Sequence, residues 1–506
     1  MAPDAGFWTA ILAALAGLGL SVGIERLMRP AASLARPWAA WALHAGLWLL
    51  AYDVFVLLLG RPVFAVALVS AFLLMLVLVN NAKFKALREP FVFQDYEYFT
   101  DAIRHPRLYI PFLGWGKFLL AAAGFVSAVA TGLWGESVPA LRWSWSGQGG
   151  ALAVLGGLSL VLLSWGSRRR LPVSLSPERD LPALGLLASL WRYWQQGRRC
   201  PDAQSPLKAL EGAGHAPVLP HLVSVQSESF FDARTLWDGI RQDILAEFDR
   251  FKAEAAVQGG LRVPAWGANT VRSEFSFLSG IANHALGVHR FNPYRAVSAG
   301  WQVETLASWL KGRGYRTICI HPYPASFYQR DRVYPRFGFD EFLDIRAFAD
   351  VALTGPYVGD IAVAEKVASL LSQAREPVFI HVITMENHGP LHLEKVAPED
   401  VERLYSRPPE AGCDDLTIYL RHVRNADAML ARLRQSLMNC GRPASLCWYG
   451  DHVPIMPSVY AALGTPSGEV DFFLWNTGCG ASTQIRADLD VHELAQQWMR
   501  ASGVSI

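Results

Sequence analysis

Five apolar stretches crowded into the first third of the chain limit its fold more than any other feature. They are Phe7–Ile24, Pro37–Gly60, Pro62–Asn80, Tyr109–Trp134 and Gly149–Gly166. A helix crossing a bilayer needs about 20 mostly apolar residues, within a range of about 17–25, and each stretch meets that length. Residues 1–166 are therefore expected to form a helical membrane bundle of five spans. The first stretch does not read as a cleavable leader, because it lacks a basic leading region and four more spans follow it. The whole chain is 52% hydrophobic and 18% charged, whereas soluble domains run at about 45–50% and about 25%. An ordinary cytosolic enzyme is thereby excluded. Forty-six basic residues against 44 acidic ones leave no excess of positive charge for nucleic acid.

His44 and Asp53 fall within the second stretch. Both would be costly in lipid, so they are expected to face the bundle interior in a structural role. Loops on one side carry Arg26, Arg29, Arg36, Lys83, Lys85, Arg88, Arg104, Arg107 and Arg168 to Arg170, against Arg61 and Arg142 on the other. The positive-inside rule puts the C-terminal part in the cytoplasm on that distribution. Residues 167–215 form a linker in which Leu181–Gln195 is amphipathic. It reads either as a helix lying in the membrane interface, holding the next domain near the bilayer, or as a buried helix packed on the domain.

From residue 216 to 506 short apolar runs alternate with helical patterns. The strands are expected at Leu219–Gln226, Tyr315–Ile320, Val378–Ile383, Ser445–Tyr449 and Phe472–Trp475, with helices at Val303–Lys311, Ile361–Gln373 and Thr417–Leu437. That alternation implies an α/β domain with a mostly parallel central sheet covered by helices on both faces. Cys319 and Cys447 sit in such apolar runs and read as core thiols; a disulfide among Cys200, Cys413, Cys440 and Cys479 is left open.

In a parallel sheet ligands gather at the carboxyl ends of the strands. Here those ends run into Ser227-Glu228-Ser229, His321, Thr384-Met385-Glu386-Asn387-His388-Gly389-Pro390 and Gly450-Asp451-His452. Gly267-Ala268-Asn269-Thr270-Val271-Arg272-Ser273-Glu274 opens a further helix. Taken singly these are a helix cap, turns and a loop carboxylate. Together they offer oxygen and nitrogen ligands suited to Zn²⁺ or Mn²⁺, plus a hydroxyl that a metal would activate as a nucleophile.

These residues, in this order, resemble the lipoteichoic acid synthase family of membrane phosphoglycerol transferases, in the sulfatase-like branch of the alkaline phosphatase superfamily. Ser227-Glu228-Ser229, Ala268-Asn269-Thr270, Ser326-Phe327-Tyr328-Gln329-Arg330-Asp331, Phe337-Gly338-Phe339-Asp340, Asn387-His388-Gly389-Pro390 and Gly450-Asp451-His452 carry the resemblance, as does the plan of five spans followed by a catalytic domain. It implies that Glu228, Thr270, Asp451 and His452 hold one divalent metal, Mn²⁺ in the type enzymes, with Zn²⁺ or Mg²⁺ as alternatives. It implies Thr270 as nucleophile, Arg330 and Tyr328 at the substrate phosphate, His321 at the glycerol pocket, and His388 as substrate-side proton donor. Gln226 and Asn269 stand where the best-known synthases carry His and Lys, and Tyr328 where the family often has Trp. His381 and His392 fall outside the motifs.

The resemblance further implies phosphatidylglycerol as the anionic donor, a glycan or polymer hydroxyl as acceptor, and a catalytic domain on the extracytoplasmic face of the cell membrane. That face is the opposite of the one the basic loops indicate. Basic residues gathering anionic lipid headgroups at the outer leaflet would reconcile the two. Sulfatases mature a Cys or Ser within C/S-x-P-x-R, and no such motif precedes Thr270, so phosphoryl rather than sulfuryl transfer is expected. The alternatives are phosphoethanolamine transfer with Zn²⁺, hydrolysis of a phosphodiester, and a non-catalytic lipid or glycan receptor. The last would have lost a ligand or the nucleophile, and all four metal positions are filled.

Overall fold

The computed structural model describes residues 3–104, 106–108, 114–137, 144–207, 218–478 and 485–504. The chain divides into two compact units, Met1–Arg199 and Cys200–Ile506.

In the first unit, among the described residues, four helices are long and apolar enough to cross a membrane: Ala5–Glu25, Trp38–Leu59, Pro62–Leu87 and Gln148–Arg168. The fourth expected stretch, Tyr109–Trp134, begins outside the described residues and continues as the helix Trp115–Gly135. Hydrocarbon gives helices no hydrophobic reason to associate, so small residues that allow close approach matter at their contacts. Trp38–Leu59 and Gln148–Arg168 meet in this way, since a Cβ on Gly46 would fall 2.8 Å from Leu163, and one on Gly166 2.9 Å from Leu43. Polar side chains are paired across the helices. His44 lies 2.8 Å from the Ser21 hydroxyl and 3.3 Å from the Glu25 carboxylate, which also holds Arg36 at 2.6 Å.

The amphipathic stretch Leu181–Gln195 is two helices rather than one, Pro177–Leu184 and Leu186–Gly197. The break is Gly185, at φ 80°, where a Cβ would lie 1.9 Å from the Arg36 guanidinium. Leu186, Ala188, Leu190 and Tyr193 bury one face of the second helix within this unit, and Trp191 donates to the Ser167 hydroxyl.

The second unit is built on a sheet of nine strands among the described residues. In chain order its strands are β1 (His221–Ser227), β2 (Val257–Arg262), β3 (Arg316–Ile320) and β4 (Glu341–Leu343); a separate hairpin, β5 (Leu353–Thr354) and β6 (Tyr357–Val358), follows. The sheet resumes with β7 (Val378–Ile383), β8 (Ala444–Gly450), β9 (Val470–Asn476), β10 (Ile485–Arg486) and β11 (Leu489–Asp490). The order across it is β10-β2-β9-β8-β1-β7-β3-β4, with β11 beside β2. From β8 to β4 all neighbours are parallel; β9 runs antiparallel between β8 and β2.

Every residue of β1, β7 and β8 is buried, as expected of parallel strands covered on both faces. Adjacent residues of a strand point to opposite faces. Tyr449 of β8 packs on Phe277 of the helix Thr270–Ser279. Its neighbour Trp448 packs on Phe230 and, across the other face, on Phe473, which stacks on Phe251 of the helix Ala246–Glu254. Cys319 and Cys447 are fully buried free thiols, and Cys200, Cys413 and Cys440 are also unbridged; Cys479 lies outside the described residues.

Candidate active site

Register alone assembles the site. Ser227 at the end of β1 stands opposite Gly450 at the end of β8, so Glu228 and Asp451 leave the sheet side by side. On the other flank Gln226 pairs with Ile383, and Thr384 then accepts the Glu228 N–H at 3.0 Å. Asn387 donates to the Glu228 carbonyl at 3.2 Å. Glu228 is thus held by the ends of both flanking strands, and His321 follows β3 one strand further along.

Glu228, Asp451 and His452 are all buried and bring their ligand atoms within 4.8 Å of one another. His452 Nε2 lies 3.3 Å from Asp451 Oδ2 and 3.6 Å from Glu228 Oε1. Its Nδ1 faces the Val453 carbonyl at 3.1 Å, an acceptor only, so the proton is assigned to Nδ1 and the Nε2 lone pair points at the carboxylates. Ser229 steadies both acids, donating its N–H to Asp451 Oδ1 and its hydroxyl to Glu228 Oε1, each at 2.8 Å. Asp451 Oδ2 and His452 Nε2 are buried without a hydrogen-bond partner. Burial and the neighbouring Asp451 push the Glu228 carboxyl up to about 8. Lone pairs converging in a buried space with no donor among them are what a divalent cation satisfies, and this oxygen–oxygen–nitrogen set suits Zn²⁺ or Mn²⁺.

Thr270 is the first residue of the buried helix Thr270–Ser279, preceded by Asn269 at φ 68°. Two hydrogen bonds tie this helix start to the strand end carrying the ligands. Ser273 donates its hydroxyl to the Asp451 carbonyl at 2.7 Å, and Gly267 its N–H to the Val453 carbonyl at 3.0 Å.

Arg330 opens the helix Arg330–Phe337 and is 1% exposed. Its Nη1 lies 3.3 Å from His321 Nε2, while His321 Nδ1 faces the Ile383 carbonyl at 3.2 Å. Nδ1 is therefore the protonated nitrogen and Nε2 the acceptor. Burial, with Arg330 beside it, holds the imidazole well below its ordinary value. The Tyr328 ring centre is 5.3 Å from the guanidinium carbon. His388 is half-buried, its Nδ1 2.7 Å from the Gly389 carbonyl and its ring 5.9 Å from that of Tyr357. Burial lowers its pKa as well.

Backbone strain marks the same places. Six non-glycine residues among those described have positive φ, and four of them are Ser229, Asn269, Tyr328 and Gln329. They adjoin Glu228, Thr270 and Arg330. Such conformations cost about 1–3 kcal/mol each and collect at functional sites. The two histidines outside the motifs are elsewhere: His381 is buried in the core against Ser224 and Phe277, and His392 is exposed. Glu274 was given no role from the sequence, yet it pairs with Arg330 at 2.7 Å. The two lie 56 residues apart, and no local pattern links them.

Comparison with known proteins places relatives beside this chain. The sulfatase family model matches residues 220–504. A capsular polysaccharide biosynthesis protein, RkpI, of Rhizobium meliloti is 26% identical over 82% of this chain and 77% of its own length. A putative cyclic β-1,2-glucan modification protein of the same organism is 26% identical over 52% of this chain and 40% of its own length. The lipoteichoic acid synthase of Staphylococcus saprophyticus is 27% identical over 31% of this chain and 24% of its own. Among solved structures, the Streptococcus pyogenes phosphoglycerol transferase GacH, in complex with sn-glycerol-1-phosphate, aligns with a TM-score of 0.49 at 19% identity, over 62% of this chain and 81% of that one. The match of the family model takes in every described strand of the sheet together with Glu228, Asp451 and His452: the chain belongs to the sulfatase family.

Proposed function

We propose that this protein is a membrane-anchored, metal-dependent phosphotransferase that moves phosphoglycerol from phosphatidylglycerol to a glycan hydroxyl through a covalent intermediate on Thr270. The observation that carries the reading is the convergence of Glu228, Asp451 and His452 at strand ends to which the Thr270 helix is tied. Glu228, Asp451, His452 and the Thr270 hydroxyl would hold the cation, Mn²⁺ by resemblance. Bound there, it would lower the pKa of the Thr270 hydroxyl and neutralise charge on the phosphoryl oxygens.

In the first half-reaction Thr270 Oγ1 gives up its proton to solvent and forms a bond to phosphorus, and the bond from phosphorus to the diacylglycerol oxygen breaks. Arg330, with Tyr328 beside it, holds a non-bridging oxygen. His388 supplies the proton that the departing oxygen needs. In the second half the acceptor hydroxyl gives its proton to His388 and its oxygen bonds to phosphorus as the bond to Thr270 Oγ1 breaks, and the freed Thr270 oxygen takes up a proton from solvent. The hydrogen bond from Nδ1 to the Gly389 carbonyl and the lowered pKa suit His388 to that base role. His321 lines the glycerol pocket.

A glycan acceptor is favoured over a growing polymer by two relatives whose names concern capsular polysaccharide and cyclic glucan. The catalytic domain is read as extracytoplasmic, because such acceptors and the outer-leaflet donor are found there. A donor that keeps two acyl chains in the bilayer explains the membrane unit.

The test is to incubate the purified full-length protein with phosphatidylglycerol labelled in its headgroup glycerol. Label is expected on Thr270, none on Thr270→Ala, and none from phosphatidylethanolamine labelled in its ethanolamine. Equal labelling of Thr270→Ala and wild type would overturn the nucleophile assignment, and labelling only by phosphatidylethanolamine would overturn the donor.

A further inference from the structure

One helical turn after Thr270 the same helix carries Glu274, and positions four apart share a helix face. Glu274 is completely buried and every contact on its carboxylate is a donor. Oε2 accepts from Arg330 Nη2 at 2.7 Å, while Oε1 accepts from the hydroxyls of Tyr294 and Tyr334. The Tyr334 hydroxyl in turn accepts from Arg330 Nε at 2.9 Å, and Arg330 Nη1 faces His321. Four separate pieces of chain meet on this one acid: the Thr270 helix, the helix Pro293–Ser298, the helix Arg330–Phe337 and, through Arg330, the end of β3.

A buried ion pair is a poor source of stability, because desolvating both charges offsets most of their attraction. Geometry is what it secures. Nε and Nη2 are spent on Tyr334 and Glu274, so the planar guanidinium has one orientation, with Nη1 as the edge left to meet a ligand beside His321. The strained residues Tyr328 and Gln329 deliver Arg330 to this position.

We propose that Glu274 is a positioning residue: its buried carboxylate fixes the Arg330 guanidinium relative to the Thr270 hydroxyl, so that one helix sets both the nucleophile and the group that grips the phosphate. This rests on the phosphotransfer reading above. Glu274 touches no reacting atom and acts through Arg330. Tyr294 and Tyr334 hold the carboxylate ionised and in place; against the upward push of burial, Arg330 and these hydroxyls keep it below the usual carboxylate range.

The experiment compares wild type, Glu274→Gln, Arg330→Lys and the double variant as full-length protein, with three readouts: the rate of Thr270 labelling, the affinity for sn-glycerol 1-phosphate, and the affinity for Mn²⁺. Losing a charged hydrogen-bond partner predicts labelling about 10- to 100-fold slower in Glu274→Gln and glycerol phosphate binding weakened by a similar factor. Mn²⁺ affinity is expected to stay at the wild-type value, because Glu228, Asp451 and His452 lie on strand ends and the helix start that carries Thr270 is held to them by Ser273 and Gly267 rather than by Glu274. The double variant is expected to be no slower than the slower single, since residues that act as a unit are not additive. Wild-type labelling by Glu274→Gln, fully additive losses, or a parallel loss of Mn²⁺ binding that exposes a purely structural role would each overturn the proposal. If wild type itself acquires no label, the phosphotransfer reading fails, and the glycerol phosphate affinities still decide whether Glu274 positions Arg330.

Discussion

Ser229 offers the sharpest test of how the cation site is built. Its hydroxyl donates to Glu228 Oε1 at 2.8 Å, while its backbone N–H separately holds Asp451 Oδ1. Ser229→Ala removes the first bond, keeps the second and leaves the left-handed backbone with a Cβ as before. A hydrogen bond to a charged acceptor contributes about 1.5–3 kcal/mol. At about 1.4 kcal/mol per factor of ten, losing it predicts Mn²⁺ binding weaker by about 10- to 150-fold. That range overlaps the 10- to 100-fold typical of groups that orient metal ligands. Calorimetric titration of Mn²⁺ into the detergent-solubilised full chain measures it directly. A dissociation constant indistinguishable from wild type would refute the reasoning, because Glu228 would then need no help to keep its ligand oxygen in place.

Ser273→Ala cuts the bond from the Thr270 helix to the Asp451 carbonyl; labelling of Thr270 is expected to slow by about 2- to 12-fold, the effect of one neutral hydrogen bond. His381 is buried neutral, with burial pushing it down to about 4, and His221 is shifted the same way. The unfolded chain therefore binds more protons than the folded one between about pH 4 and 6.5, so stability falls as pH falls, by up to about 1.4 kcal/mol per pH unit from His381 alone. Thermal unfolding of the full chain across that range checks this, and His381→Gln should flatten the slope. Protease added to intact spheroplasts is expected to cleave the second unit; protection until lysis would place it in the cytoplasm, as the basic loops imply.

The parts of the fold legible in the sequence were those with a local signature. β7 stands out as an apolar run, Val378–Ile383, interrupted only by His381, because a central parallel strand is buried on both faces. β2 left no such trace: Val-Gln-Gly-Gly-Leu-Arg alternates, carries two glycines and lies in the sheet by pairing with β9, β10 and β11, all more than 200 residues later. The break at Gly185 was hidden because it answers to Arg36, a contact between segments far apart in sequence. Within the site, Glu228 and the Asp451-His452 pair were visible as polar residues at strand ends, and strand register then placed them together. The Glu274–Arg330 pair was invisible for the opposite reason, since a buried acid in a helix has no pattern of its own and its partner arrives from another helix.

The central claim is that Thr270 and the three ligands share one cation. Anomalous diffraction from crystals of the protein soaked in Mn²⁺ tests it most directly. One peak is expected, within about 2.0–2.4 Å of Glu228, Asp451, His452 Nε2 and Thr270 Oγ1, distances ordinary for such ligands. A peak held by the three side chains with Thr270 Oγ1 out of reach, or no peak between them, would contradict it.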